Sequence, residues 1–117
     1  MWPTLQRRAH FDLVYEQGRK RTSPILVVFH VATEAEPRVA FVASRKVGGA
    51  VQRNRAKRVM RAAFRSLVPR LEPAWIVLVA RAEILRCKST SVAAVLEDLL
   101  RERLRPEAAL QPDGGSP

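Results

Sequence analysis

The chain has 117 residues, of which 47% are hydrophobic and 27% are charged, a composition that excludes wholesale disorder and fits one domain. Its apolar runs are far shorter than the roughly 20 residues of a membrane span, its first 20 residues lack a secretory core, and its single cysteine excludes an internal disulfide. The net charge of +10 favours a polyanionic partner. We therefore expect a cytoplasmic protein with no membrane contact.

The first part of the chain is predicted to form a helical region and two strands. Residues 4–17 are predicted to be helical in two short pieces, with Thr4 as the N-cap and Gly18 as the C-terminal stop. Strands rich in β-branched and aromatic residues are predicted over 25–32 and 38–44. The polar connection over 33–37 has the length of a hairpin loop, so the two strands are predicted to pair in an antiparallel manner.

The rest of the chain completes an α+β pattern in the order α-β-β-α-β-α. The other predicted parts are a basic connection over 19–23, a basic loop over 45–49, a helix over 50–68, a strand buried on both faces over 74–80 and a last helix that ends before Pro106. We predict a two-layer sandwich of helices on a small mixed sheet. Residues 1–105 would form a single domain, and 106–117, with three prolines and a glycine pair, a disordered C-terminal tail.

The positive charge is concentrated in residues 1–70, which hold fifteen basic and four acidic residues and carry a net charge of +11. The remaining residues carry a net charge of −1. Arginine outnumbers lysine by 17 to 4, and its planar guanidinium suits phosphate because it donates two hydrogen bonds at once. The excess charge therefore belongs to the first part of the fold.

The predicted helix over 50–68 separates an apolar stripe from a row of cations. At about 100° per residue, Ala56, Met60 and Ala63 share one face, and the cations lie on the other. Eight basic residues and no acidic residue lie between Arg45 and Arg65, although like charges at helical spacing cost about 0.2–0.5 kcal/mol per pair. RNA phosphates would remove that repulsion; the alternative is a basic surface with no specific ligand. The predicted RNA-binding residues are Arg45, Lys46, Arg53, Asn54, Arg55, Lys57, Arg58, Arg61 and Arg65.

Two aromatic residues of the first helix, Phe11 and Tyr15, are four positions apart and share a helix face. Exposed aromatic rings beside cations can stack on unpaired bases, but the residues alone favour an ordinary core pair. Phe29 in the first strand allows the same two interpretations. His10 and His30 lack a metal-binding spacing and the carboxylates form no acidic cluster, so we expect neither catalytic nor metal-binding residues in the protein.

Residues 44–58, Ser-Arg-Lys-Val-Gly-Gly-Ala-Val-Gln-Arg-Asn-Arg-Ala-Lys-Arg, closely resemble the signature of the bacterial ribonuclease P protein family. Its core is an Arg-Asn-Arg box, here residues 53–55, followed by Lys57-Arg58. Residues 11–18 resemble the aromatic-x-x-Val-aromatic-x-x-Gly segment of the same family. The resemblance covers about residues 4–103 and departs from the family at Gly49, where many members carry a polar side chain.

The resemblance implies a partner, a reaction and a substrate site. The partner would be a catalytic RNA subunit, and the holoenzyme would hydrolyse precursor tRNA to remove its 5′ leader. Magnesium (Mg2+), bound mainly by the RNA, would perform the chemistry with it. The leader would lie in a cleft between the first helix and the sheet, in contact with Phe11, Tyr15 and Phe29. The family also implies a left-handed βαβ crossover between residues 38 and 80. We further expect the free protein to be monomeric.

Two other functions remain open from the residues. Small basic α/β domains also occur as ribosomal or other structural RNA-binding proteins, and charge alone does not separate the two classes. An independent protein nuclease is the third possibility, which the lack of a carboxylate or histidine constellation opposes.

Overall fold

The structure, a computed structural model, describes residues 1–106, so the predicted disordered tail lies outside the described residues except for Pro106. Its helices and strands are α1 (Arg8–Gln17), β1 (Arg19–Thr22), β2 (Leu26–Ala32), β3 (Arg38–Val42), α2 (Ala50–Leu67), β4 (Ala74–Ala80) and α3 (Ser89–Leu99). Short 3-10 turns lie at Val68–Arg70, Ala82–Arg86 and Arg101–Arg103. The predicted α+β class with a mixed sheet is confirmed.

The sheet has the order β1-β2-β4-β3, with β1–β2 and β2–β4 antiparallel and β3–β4 parallel. The predicted hairpin between β2 and β3 is therefore wrong, because β4 lies between them. β4 is the most continuously apolar strand, and a central position buries both of its faces. The connection over 33–37 needs to span only two strand spacings, about 10 Å. The left-handed sense of the β3–α2–β4 crossover stays a prediction.

β1 lies where the sequence predicts a basic connection over 19–23. It pairs with β2 from Arg19 opposite His30 to Thr22 opposite Val27. Its four side chains are polar, so the sequence shows no hydrophobic alternation, yet charged side chains are common on edge strands because they discourage pairing with other chains. Ser23 closes the turn to β2, where its hydroxyl donates to the Leu26 carbonyl at 2.8 Å.

The two faces of the sheet are covered unequally. α2 and α3 pack on one face, where strand residues such as Val28 and Ile76 contact a continuous core that includes Met60, Phe64 and Leu96. α1 packs on the opposite face, which is formed by the alternate strand residues. A single ten-residue helix leaves part of this second face accessible, as the partial exposure of Phe29, Val31 and Val79 shows.

The chain ends depart from the predicted helices. α1 begins at Arg8 rather than at residue 4, because Pro3–Leu5 pairs with the free edge of β3 through the Leu5 amide and the Val39 carbonyl at 3.1 Å. Thr4 is thus part of a β-bridge and not an N-cap. The last helix ends at Leu99, and the chain then returns to form a bridge between Leu104 and Leu71.

Candidate nucleic-acid interface

The basic loop between β3 and α2 is a defined turn. The Ser44 hydroxyl accepts a hydrogen bond from the Lys46 amide at 3.2 Å, and the Gly48 amide donates to the Arg45 carbonyl at 3.2 Å. Gly48 has a φ of 146°, and a Cβ there would approach the Gln52 side chain at 2.8 Å, so this position requires glycine. The turn places Arg45 and Lys46, both exposed, beside the first turn of α2.

The apolar face of α2 is buried against the sheet and α3, as the sequence periodicity predicts. Ala56, Met60, Ala63 and Phe64 are almost completely inaccessible to solvent. The nine predicted RNA-binding residues all reach the surface, and only Arg53 and Lys57 are half-buried. The helix therefore brings these residues together on its solvent-facing side and on the adjoining loop.

None of these cations pairs with a carboxylate of residues 1–106. The ion pairs in that part of the chain involve other basic residues, namely Arg19, Arg21, His30, Arg38, Arg70 and Arg101. The positive charge of α2 and its preceding loop is therefore available to a ligand. An exposed row of like charges that the fold leaves uncompensated favours association with a polyanion.

Arg61 is held by a contact that sequence periodicity could not reveal. Its guanidinium lies over the Phe41 ring, 5.5 Å from the ring centroid. Phe41 in turn packs edge-on against Phe64, with the ring centroids 5.8 Å apart. A cation–π contact of this kind orients an exposed arginine without neutralising it, so Arg61 is positioned in advance for a ligand.

The three predicted leader-binding aromatic residues come together beside α1. Tyr15 packs edge-on against Phe29 with centroids 4.8 Å apart, and Phe11 lies 6.3 Å from Tyr15. The buried anchor of α1 is Val14, at 0% exposure, whereas Tyr15 is 40% exposed. Burial raises the pKa of the Tyr15 phenol, so its hydroxyl stays protonated and can donate at neutral pH. Phe11 and Phe29 are half-buried and pack against the smaller core under α1, whereas Tyr15 is exposed, so the rings both contribute to that core and line a surface.

An open groove of about 510 Å³ is lined by residues of β2, β4 and the basic loop and by Arg81 and Glu83 after β4. Its floor includes Val27 and Val79, which are opposite each other on β2 and β4. Val27 is one strand repeat from Phe29, so the groove lies on the sheet face that also carries the aromatic residues, and Lys46 contributes to its lining. Arg81 belongs to this surface but was missed by the sequence analysis, because it is isolated in sequence from the other cations.

The histidines occupy structural positions. His10 stacks against Trp75 with centroids 4.6 Å apart, and His30 is buried on the other face of the sheet, 3.3 Å from Glu102. Within residues 1–106, no group of three or more His, Cys, Asp or Glu side chains could hold a metal ion. In that same part of the chain, no helix is long and apolar enough to cross a membrane.

Comparisons with known proteins show a consistent family. A family model described as Ribonuclease P matches residues 3–103. A "Ribonuclease P protein component" from a Nitratiruptor species is 44% identical over 82 residues, which are 70% of this chain and 74% of that protein. One of Chloroflexus aurantiacus is 39% identical over 101 residues, which cover 84% and 75% of the two chains.

Solved structures show the same architecture. The RNase P protein of Staphylococcus aureus superposes with a TM-score of 0.73 and 25% identity, over 84% of this chain and 92% of that one. The RNase P protein of Thermotoga maritima gives a TM-score of 0.72 and 27% identity, over 84% and 96% of the two chains.

Proposed function

The chain belongs to the ribonuclease P protein family, whose enzyme processes the 5′ end of tRNA. From this membership we infer which RNA each part of the protein surface binds. We propose that the outer face of α2 and the loop before it bind the catalytic RNA. The aromatic cleft and its groove bind the single-stranded leader of precursor tRNA. The protein is a monomer when free and works in the cytoplasm.

The unpaired cations of α2 carry the first half of this proposal. Eight basic residues between Arg45 and Arg65 lie on one surface, and none has a carboxylate partner among residues 1–106. Folded RNA brings phosphates close together, and cations that neutralise them release condensed counterions on binding. Family membership favours this role over that of a ribosomal RNA-binding protein.

The aromatic cleft supports the second half. An unpaired strand offers bases whose flat faces can stack, and rings such as Tyr15 and Phe29 accept any base because stacking makes little sequence demand. The groove floor is apolar at Val27 and Val79, and its lining carries two cations, Lys46 and Arg81, against one carboxylate, Glu83. A surface of this composition suits a leader that differs in sequence from one precursor to the next.

The chemistry belongs to the RNA and to Mg2+ in this proposal. Carboxylate and water oxygens are the usual ligands of Mg2+ in proteins, and the described residues 1–106 bring together no cluster of such groups. The protein instead lowers the repulsion between two RNA molecules. This contribution is expected to be largest where magnesium is scarce.

Reconstitution with the cognate catalytic RNA tests both halves. At low Mg2+, cleavage of precursor tRNA should depend on the protein, and mature tRNA should bind more weakly than the precursor. Tyr15→Ala should reduce precursor affinity and leave mature tRNA affinity unchanged, whereas Leu13→Ala, which removes an exposed side chain from another side of α1, should reduce neither. Cleavage that is indifferent to the protein, or equal losses for both tRNA forms, would contradict the proposal.

A further inference from the structure

Three consecutive cations of β1 are divided between the two faces of the sheet. Arg19 and Arg21 project towards the face that α2 and α3 cover, where both reach Glu102. Lys20 lies between them and, because strand side chains alternate, projects to the opposite face. That opposite face carries the aromatic cleft, so the only β1 cation directed into the cleft is Lys20.

Lys20 is part of the aromatic cluster in space. It is opposite Phe29 in the β1–β2 register, and its Nζ lies 5.7 Å from the centroid of the Phe29 ring. Tyr15 packs against the same ring at 4.8 Å. The distance from Lys20 to Phe29 is within the range of a cation–π contact, which places the ammonium group at the margin of the cleft.

The three cations also differ in charge compensation. Glu102 accepts hydrogen bonds from Nε and Nη2 of Arg21 and lies 3.8 Å from Arg19 Nη1. Lys20 is exposed and has no carboxylate within ion-pair distance among residues 1–106. The two outer cations of the strand therefore share one carboxylate, whereas the middle one lies beside the rings with no carboxylate partner among residues 1–106.

We propose that Lys20 binds a backbone phosphate of the leader where the leader passes from the aromatic cleft across β1. This inference rests on the proposed leader cleft and extends it to a strand that carries none of the predicted site residues. A lysine ammonium is a compact point charge with three rotatable donors, which suits a phosphate in a strand of variable sequence. The aromatic rings would stack on the adjacent base while Lys20 binds the backbone phosphate.

The test measures precursor and mature tRNA binding to the reconstituted holoenzyme over a range of salt concentrations. Lys20→Gln should weaken precursor binding about two- to fivefold and reduce the log–log salt slope by about 0.7, as expected for one contact to a single strand. Mature tRNA binding should not change, and Lys20→Arg should restore precursor binding. Unchanged precursor affinity, or an equal loss for both tRNA forms, would overturn the assignment.

Arg19→Gln is the matched control, because it removes one charge from the neighbouring residue on the other face of β1. If it weakens precursor binding as much as Lys20→Gln does, the effect is a general one of net charge and the assignment fails. Tyr15→Ala distinguishes a wrong Lys20 assignment from a wrong leader cleft. If Tyr15→Ala weakens binding of precursor tRNA but not of mature tRNA, and Lys20→Gln weakens neither, only the Lys20 contact is overturned.

Leaders with a single neutral methylphosphonate linkage locate the phosphate. One linkage should weaken wild-type binding as much as Lys20→Gln does, and the same linkage should cause no further loss in that variant, because both changes remove one contact. Additive losses at every linkage would contradict a direct contact between Lys20 and the leader.

Discussion

The arginines of α2 and those near the C-terminal segment are chemically identical, but the fold treats them differently. Arg21 donates to Glu102, Arg70 donates to Glu97 at 2.9 Å and Arg101 donates to Asp98. The cations of α2, among them Arg58, have no such partner within residues 1–106. The paired set connects β1 and the turn after α2 to the C-terminal segment, whereas the α2 set has no carboxylate partner within residues 1–106. The difference teaches that the number of cations alone is a weaker guide to a binding surface than the concentration of uncompensated cations on one helix.

The largest expected effect is on RNA binding, from Arg58→Ala combined with Arg61→Ala. Each lost phosphate contact should flatten the log–log salt slope by about 0.7–0.9, and affinity for the catalytic RNA should fall about tenfold or more. The free energy of unfolding should fall by no more than about 1 kcal/mol, because Arg58 forms no ion pair within residues 1–106 and Arg61 loses only its contact with Phe41. Filter binding across salt concentrations and urea denaturation measure the two quantities.

The matched control is Arg101→Ala combined with Arg105→Ala, which removes the same charge from exposed positions outside α2. This variant should bind the catalytic RNA with nearly wild-type affinity. Equal losses in the two double variants would mean that net charge, and not the α2 surface, determines the affinity.

The second prediction concerns the paired set, for which we expect a loss of stability and no loss of RNA affinity. Glu102→Gln removes the charged acceptor of Arg21 and the nearest carboxylate to His30. The free energy of unfolding should fall by about 1 kcal/mol, the upper range for partly exposed ion pairs, and affinity for the catalytic RNA should hold. If Glu102→Gln instead loses RNA affinity at unchanged stability, Glu102 belongs to the RNA-binding surface, and the distinction between paired and unpaired cations fails.

The third prediction is a pH dependence of stability that arises from the paired region. Burial, followed by the nearby Arg103 guanidinium, lowers the pKa of His30 in the folded protein, although Glu102 opposes the shift. The unfolded chain therefore binds the His30 proton more readily, so the free energy of unfolding should fall as pH decreases through the usual histidine pKa of about 6.5. His30→Gln should flatten this part of the profile.

Glu102 adds a separate loss at lower pH. The hydrogen bond from Arg21 is the largest of the effects that lower its pKa in the folded protein, so its contribution is present above the pKa of the unfolded carboxyl group and is lost as pH falls through the folded value. Glu102→Gln should flatten the acid limb and, because it removes the carboxylate that opposes the shift of the His30 pKa, should enlarge the loss of stability below about pH 6.5. Identical profiles in His30→Gln and wild type would contradict the assignment to His30.

The smallest expected effect concerns the cation–π contact between Arg61 of α2 and the Phe41 ring. A double-mutant cycle of Arg61→Gln and Phe41→Leu should give a coupling of about 0.5–1 kcal/mol in the free energy of unfolding. The matched cycle of Arg58→Gln and Phe41→Leu should give none, since Arg61 is the α2 cation that lies over the Phe41 ring. Equal couplings would mean that the contact at Arg61 has no specific energy.

The helices and strands whose patterns are local were predicted well. The predicted helix over 50–68 corresponds to α2 at Ala50–Leu67, and the predicted strand over 74–80 corresponds to β4 at Ala74–Ala80. In both, the spacing of apolar residues reflects burial directly. The predicted pairing of β2 with β3 was wrong because β4 lies between them. The strand with two apolar faces takes a central position, and that preference is apparent only when all strands of the sheet are considered together.

In the candidate site, too, local sequence patterns predict some features and only strand pairing reveals the others. Helical periodicity alone places Arg58, Arg61 and the other α2 cations on one face, and the i, i+4 spacing places Phe11 beside Tyr15. Neither pattern indicates that Lys20 and Arg81 join this surface, because each reaches it through strand pairing and not through a neighbour in sequence.

By itself, the sequence determined the family, the cationic helix and its apolar face, because these depend on residue types at short, regular separations. Only the tertiary structure decided which cations remain free for a ligand. Arg21 and Glu102 are 81 residues apart in the chain, and no local rule connects them. Electrostatic pairing depends on distance in space, so the division between structural and available charge emerges only when the sheet and the C-terminal segment are assembled.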